Sequence, residues 1–266
     1  MGDGLDTGVA HPARRYNYWL GGKDNFAADR ESGDLLAKAY PAARIAARAN
    51  RAFLQRAVRF LAAEAGIRQF LDIGTGLPTA DNTHEVAQRV APESRIVYVD
   101  NDPMVMAHAR ALLTSTPEGR TCYLEEDLRN PERILSHPDL LATLDLDRPV
   151  ALMLIATVHF LPDQAGAREI LRTLLTALPP GSYLAMSCAT KEFLTPEVAA
   201  GWDESLRTGR SDVHPRDRAE FGEFYAGLDL VEPGIVAISR WRPDPTAAEH
   251  PAPADAAMFG AVGTKP

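Results

Sequence analysis

"FLDIGTGLPT", residues 70–79, is the stretch on which the reading of the fold turns. An apolar run that ends in Gly74-Thr75-Gly76 has the form of a buried strand entering a tight turn. Glycine alone lets the backbone turn so sharply and approach a ligand closely at the carboxyl end of a strand. A dinucleotide site would want a third glycine near position 79, to bring a pyrophosphate onto a helix N-terminus, but Thr79 stands there behind Pro78. Asp72, two positions before Gly74, points the same way: a carboxylate under the ligand attracts an ammonium group and repels a diphosphate.

Outward from this turn the pattern repeats. "QFLDIG" (69–74), "SRIVYVD" (94–100), "TCYLEED" (121–127), "PVALMLIA" (149–156) and "GSYLAMSC" (181–188) are continuous enough to be strands buried on both faces. Helical segments lie between them; the one at 163–181 sets Leu171, Leu174, Leu175 and Leu178 on one face, with Asp163 as its N-cap. Alternating strands and helices predict a doubly wound, Rossmann-like α/β fold with right-handed crossovers. Near the end, "LVEPGIVAISRW" (230–241) and "AMFGAVGTKP" (257–266) are joined by a Pro-, Ala- and Asp-rich segment, 243–256, rather than by a helix. They are expected to close a mostly parallel seven-stranded sheet as an antiparallel hairpin, with 243–256 as a surface loop. Ahead of the sheet, residues 1–66 read as a helical arm or lid on a core of 67–266. Ile45, Ala49, Phe53, Leu54, Val58 and Leu61 form the apolar stripe of its long helix, and Pro41 suits the first turn.

Acids recur at the strand ends. Asp100 closes the second strand, where a carboxylate accepts hydrogen bonds from both ribose hydroxyls of an adenosyl ligand lacking a 2′-phosphate. Asp127 closes the third, placed to accept from an adenine amino group, with the Leu128 backbone beside the ring edge. Each acid alone could equally be a turn former or helix cap. Three at successive strand ends after a glycine turn read as a binding site.

The 266-residue chain is large enough for a full core, and its formal net charge of -8 argues against a protein that holds long nucleic acid by phosphate neutralisation. Cys122 and Cys188 have no metal-ligand spacing, so no metal is expected. With no signal-like start and no apolar run of membrane-spanning length, a cytoplasmic setting is the simplest expectation. The oligomeric state is not legible.

Asp72-Ile-Gly74-Thr75-Gly76, Asp100, Asp127 and "LPPGSYLAMS" (178–187) together resemble class I S-adenosylmethionine-dependent methyltransferases. More narrowly, "PARRYNYWLGGKDNFAADRE" (12–31), "DIGTGLPTADNTHEVAQ" (72–88) and "VEPGIVAISRWRPD" (231–244) resemble a mainly actinobacterial S-adenosyl methyltransferase family, long catalogued as a domain of unknown function. The resemblance covers nearly the whole chain. It implies S-adenosylmethionine as cofactor and names no acceptor. By position it implies that Gly74, Thr75 and Gly76 bracket the methionine end, with Asp72 acting on its ammonium group. Asp100 would hold the ribose, Asn101 would flank the adenine, Asp127 and Leu128 would take its edge, and Ala156 and Thr157 would floor the sulfonium.

The fourth strand lacks the Asn/Asp-Pro-Pro-aromatic grip of adenine- and glutamine-amino methyltransferases, which with the acidic charge favours a small-molecule acceptor. A protein that senses S-adenosylmethionine or its demethylated product without transfer, and a nicotinamide-dependent oxidoreductase, are the competing readings. If a base is needed, His159 in "IATVHFLPD" is the best placed. The alternative for His159 is a histidine bonded to the adjacent turn. His84 is read as a loop-orienting residue or a partly exposed helix residue. The polar run around Gly21-Gly22 suits a loop near a ligand, so Tyr16, Tyr18, Lys23 and Asn25 are expected to reach the site.

Overall fold

Continuous burial dictates the sheet. Every residue of β1 (Gln69–Ile73) and β4 (Ala151–Ile155) is buried, as expected of strands covered on both faces. The computed structural model describes residues 6–245 and 250–266. Three helices precede β1: α1 (Pro12–Trp19), α2 (Ala27–Ala39) and α3 (Ala43–Ala63). Then follow α4 (Thr83–Val90), β2 (Arg95–Asp100), α5 (Pro103–Leu112), β3 (Arg120–Glu125), α6 (Pro131–Leu135) and α7 (Pro138–Thr143). Beyond β4 come α8 (Gln164–Thr176), β5 (Tyr183–Ala189), α9 (Pro196–Arg207) and α10 (Arg218–Glu223). The chain closes with β6 (Asp229–Leu230), β7 (Val236–Ala237), α11 (Pro253–Ala256) and β8 (Met258–Thr264).

The strands order as β3-β2-β1-β4-β5-β8-β6, with β7 also on β8. The first five pair in parallel, and β8 runs antiparallel to β5, β6 and β7. This is the Rossmann-like architecture expected, with one refinement. The strand anticipated at 230–241 is divided into β6 and β7, so the described sheet has eight strands. Pro233 carries no amide donor, and it sits inside a turn closed by Gly234 N–H to Val231 O at 2.9 Å, which takes this stretch out of the ladder. A short 3-10 turn, Ile238–Arg240, then replaces the rest of the expected strand.

Alternation along the strands fills two layers. Leu71, Val97, Val99, Leu152, Leu154 and Met186 face one side, under Leu171 and Leu174 of α8 and Phe221 of α10. Phe70, Ile96, Tyr98, Met153, Ala185 and Val262 face the other, under α3 and α4. Asp163 caps α8 by accepting from the amides of Ala165 and Gly166. On α3, Ala49, Phe53, Leu54, Val58 and Leu61 are buried as the stripe predicts, but Ile45 is 41% exposed. Pro41 lies in a turn before the helix, which begins at Ala43. The stripe meets the sheet only after the first helical turn, in which Ala43 and Ala46 face a separate cluster with Tyr40, Trp202 and Val213.

Part of the segment expected as a surface loop is core. Residues 246–249 lie outside the described residues, but Pro253–Ala256 forms α11 with Ala256 fully buried, and Tyr40 Oη lies 2.9 and 2.7 Å from the carbonyls of Ala254 and Asp255. Gly260 of β8 is required by packing, since a Cβ there would stand 2.8 Å from Ile238 and 2.9 Å from Phe53. Among the described residues no helix is long and apolar enough to cross a membrane.

Phe53 is fully buried and meets the Trp241 ring edge-on at 5.5 Å between centroids. Phe53→Ala is therefore expected to lower unfolding stability by about 3–5 kcal/mol, read by urea titration; a loss within about 0.5 kcal/mol would show that α3 is not part of the sheet's core.

Candidate active site

A cavity of about 510 Å³ opens where β1, β2 and β4 end, and continues between α1, α2, α3 and α9. The order of the strands makes this their topological switch point, where the connections leave the sheet in opposite directions. At the turn after β1, Gly74 has φ +76° and Gly76 has φ +68°, values that favour glycine. Gly74 is also fixed by space, because a Cβ would come within 2.4 Å of Thr157 Oγ1. Its N–H donates to Val99 O at 2.8 Å, while Thr157 Oγ1 donates to Ile73 O at 3.2 Å. The turn is thus tied to β2 on one side and β4 on the other.

The three acids sit in different electrostatic settings. Asp72 is fully enclosed, and burial pushes its carboxyl up to about 6, against the Thr83 hydroxyl bond at 2.6 Å and the Arg51 charge. Asp100 is also raised by burial, although the backbone amides of Asp102 (3.0 Å) and Gly76 (2.8 Å) bond its two oxygens. Those donors fix the carboxylate plane, and each oxygen keeps a lone pair for a further donor. Asp127 is the reverse case. Partial burial works to raise it, but Arg129, bonded at 2.9 and 2.6 Å, and Asn101 at 3.1 Å outweigh that and hold it at about 2.

At the end of β4, Ala156 adopts φ +57°, a left-handed conformation unusual for a residue with a side chain. Its N–H is held by the Ser187 hydroxyl at 2.9 Å. Ser187 donates to Asn50 Oδ1 at 2.6 Å, Asn50 donates to Tyr16 Oη at 3.0 Å, and Tyr16 donates to Ala47 O at 2.8 Å. This relay binds the floor of the cavity to α3 and α1.

The far end of the cavity is apolar. Trp19, Tyr40, Phe160, Trp202 and Val213 wall it, and small residues such as Ala43 and Ala46 leave room between them. His159 lines the cavity where the two ends meet, and is 95% buried, so its pKa is lowered to about 3 by desolvation. Its Nδ1 accepts the Ala189 N–H at 3.2 Å, which puts the proton of the neutral ring on Nε2. The ring therefore offers a hydrogen-bond donor, where the sequence suggested a base. Its backbone carbonyl accepts from His214 N–H at 2.8 Å.

The cavity wall brings together Asp72, Gly74, Thr75, Gly76, Asp100, Asn101, Asp127, Leu128, Ala156, Thr157, His159 and Tyr16. Four other expected residues do not line it. Tyr18 is bonded to Asp34 at 2.9 Å beneath the Arg44 guanidinium, and Lys23 is exposed. Asn25 is spent inside its own turn, donating to Asn17 Oδ1 at 2.9 Å and Gly22 O at 3.0 Å. A Cβ at Gly22 would overlap the Asn17 side chain at 2.3 Å, so the Gly-Gly and Asn residues of this arm serve a local turn. His84 is buried rather than partly exposed, bonded through Nδ1 to Tyr98 Oη at 2.8 Å behind the cavity. Sequence reading passed over Asn50, Arg15 and the aromatic wall. Asn50 carried a signal, being a polar residue one helical turn before Phe53 and Leu54 on an apolar stripe. The aromatic wall carried none, because it converges from α1, α2 and the segments after β4 and β5.

The chain matches the S-adenosyl methyltransferase family over residues 1–266 and belongs to it. It is an S-adenosylmethionine-dependent methyltransferase by that membership. A solved protein of the domain-of-unknown-function 574 family from Streptomyces avermitilis MA-4680 is 53% identical, covering 99% of this chain and 100% of its own, with a TM-score of 0.93. A candidate methyltransferase from Thermobifida fusca YX is 41% identical over 99% of this chain and 97% of its own, with a TM-score of 0.88. No curated protein matches the chain.

The residues present fit the cofactor. The glycine turn leaves open space over Gly76, Asp100 has free lone pairs, and the raised pKa of Asp72 is the mark of a buried carboxylate for which an ammonium group would compensate. A carboxyl raised by burial favours the neutral form, so its ionisation costs stability that is lost as pH rises from the unfolded value near 3.8 through about 6. Asp72→Asn is expected to stabilise the free protein at pH 7 by about 1–3 kcal/mol in urea titrations. Affinity for S-adenosylhomocysteine in the unsubstituted protein is expected to fall about tenfold from pH 7 to pH 5, and most of that dependence to vanish in Asp72→Asn. Unchanged pH dependence in the variant would remove Asp72 from the site.

Proposed function

We propose that this methyltransferase acts on a small-molecule acceptor held in the apolar end of the cavity. The observation that carries this reading is the continuity of one cavity from the acid-lined strand ends to the aromatic wall, past Ala156, Thr157 and His159. Its concave, mostly apolar form with a few placed polar groups suits a small ligand, and the formal charge of -8 disfavours nucleic acid. Free cysteines and relatives from Streptomyces and Thermobifida support a bacterial cytoplasmic setting.

In this reading Asp100 accepts from the two ribose hydroxyls, and its prior bonds to Gly76 and Asp102 spare the reorganisation a free carboxylate would need. Asp127 is held ionised by Arg129, and because Arg129 and Asn101 fill its acceptor positions it takes the adenine amino group by releasing Asn101, which with Leu128 lies beside the ring. Asp72 offsets the ammonium charge. Gly74, Thr75 and Gly76 bracket the methionine end, and Ala156 and Thr157 form the floor facing the acceptor.

S-adenosylmethionine supplies an activated methyl group on a sulfonium. The chain's contribution is to align an acceptor against that methyl group and to exclude water, with Ala156 and Thr157 as the floor between the two. His159 is positioned to orient the acceptor by donating from Nε2, and its low pKa makes it a poor proton acceptor at neutral pH. Helices α1 and α2 form the lid, and the Tyr16–Asn50–Ser187 relay fastens α1 to the floor.

Asp100→Ala is expected to weaken S-adenosylhomocysteine binding roughly 10- to 100-fold by calorimetry, from the loss of charge-assisted hydrogen bonds. Unsubstituted protein is expected to release S-adenosylhomocysteine with some member of an acceptor library. Cofactor binding without turnover across the library would favour a sensor, and binding of NAD in place of S-adenosylmethionine would contradict the assignment.

A further inference from the structure

The chemistry around His159 narrows the acceptor. Its Nε2 has no partner among the described residues, although the residue is 95% buried and lines the cavity. Nδ1 is already engaged by the Ala189 amide, so the free corner of the ring is an N–H donor in need of an oxygen.

The titratable groups that face this imidazole are Asp212, Arg15, Arg216 and His214, the last kept neutral at pH 7 by burial. Asp212 is bonded by Arg15 at 2.5 Å, so its charge is matched. Arg216 is different. It is 96% buried, and its bonds go to Gln164 Oε1, His214 O and Leu161 O, with no carboxylate partner among the described residues. Arg216 stands behind the cavity wall, on which Arg15 and Asp212 lie, and the two guanidinium groups against one carboxylate leave a positive potential around the His159 N–H donor. Beyond it the wall is the aromatic and small-residue pocket of Trp19, Tyr40, Phe160 and Trp202.

Resting on the small-molecule reading above, we propose that the acceptor is an apolar, ring-sized molecule carrying an anionic oxygen, a carboxylate or a phenolate, that accepts the His159 Nε2–H. The ring fills the aromatic pocket, and the oxygen sits in the field of Arg216 at the junction with the cofactor end. An ammonium group on the same skeleton would face a donor and a net positive surround, and is rejected.

The test is a calorimetric titration of the full chain, saturated with S-adenosylhomocysteine, against three probes: 2-naphthoate, 4-nitrophenolate and 2-naphthylmethylammonium. At least one anion is expected to bind about tenfold or more tightly than the ammonium probe, and a folded His159→Phe variant to lose that preference. A preference confined to 2-naphthoate would assign the oxygen to a carboxylate, and one confined to 4-nitrophenolate to a phenolate. Equal or tighter binding of the ammonium probe overturns the proposal, as does a preference that survives in His159→Phe or a failure of all three to bind. In each of these cases retained S-adenosylhomocysteine binding leaves the methyltransferase reading standing, whereas loss of that binding in the unsubstituted protein strikes the reading itself. A second readout needs no variant. Nitrogen-15 histidine spectra of the unsubstituted protein are expected to show His159 in the Nε2–H form, with its resonance moved by the bound anion; an Nδ1–H ring, or no movement, contradicts the assignment.

Discussion

The end of β1 is pinned from both sides, and the site depends on that constraint. Gly74 N–H reaches across to Val99 O on β2 while Thr157 Oγ1 reaches back to Ile73 O from β4. The space between is too small for a side chain at Gly74. With this turn fixed, Gly76 N–H meets Asp100, and the carboxylate is oriented before any ligand arrives. Preorganisation of this sort is where a binding site gains most, because the cost of fixing the groups is met in folding.

That cost is visible. Asp72 and Asp100 are carboxylates taken out of water, both raised by burial, and Ala156 is held in a left-handed conformation. Each works against stability and each faces the cavity. The compensation lies in the layers beneath: the two hydrophobic clusters on the faces of the sheet, and the relay from Ala156 through Ser187, Asn50 and Tyr16 to Ala47. The relay also explains why a tyrosine of α1 belongs to the site, since it ties the helices over the cavity to the strand end under it.

Strands buried on both faces announce themselves as apolar runs, so the order of elements and the acids at their ends were legible from residues alone. The turn after β1 was legible because glycine there has a steric reason that sequence carries. The division of the strand at 230–241 could have been weighed from Pro233-Gly234, but the apolar run around it outweighed that signal. The arm misled for a physical reason. Polar residues beside a Gly-Gly pair suit a ligand loop or a self-bonded turn equally well, and the Asn17–Asn25–Gly22 bonds are local contacts that composition cannot distinguish from a site. The aromatic wall was hidden for the opposite reason, being assembled from segments far apart in the chain, each unremarkable alone.

In the proposed function one cavity holds the cofactor on the strand-end acids and the acceptor against the aromatic wall. A crystal structure with S-adenosylhomocysteine bound is expected to show the ribose hydroxyls on Asp100, the adenine between Asn101 and Leu128, and the sulfur over Ala156 and Thr157, open toward His159 and Phe160. A ligand bound away from Asp100, or one whose sulfur is closed off from the aromatic pocket, would contradict it.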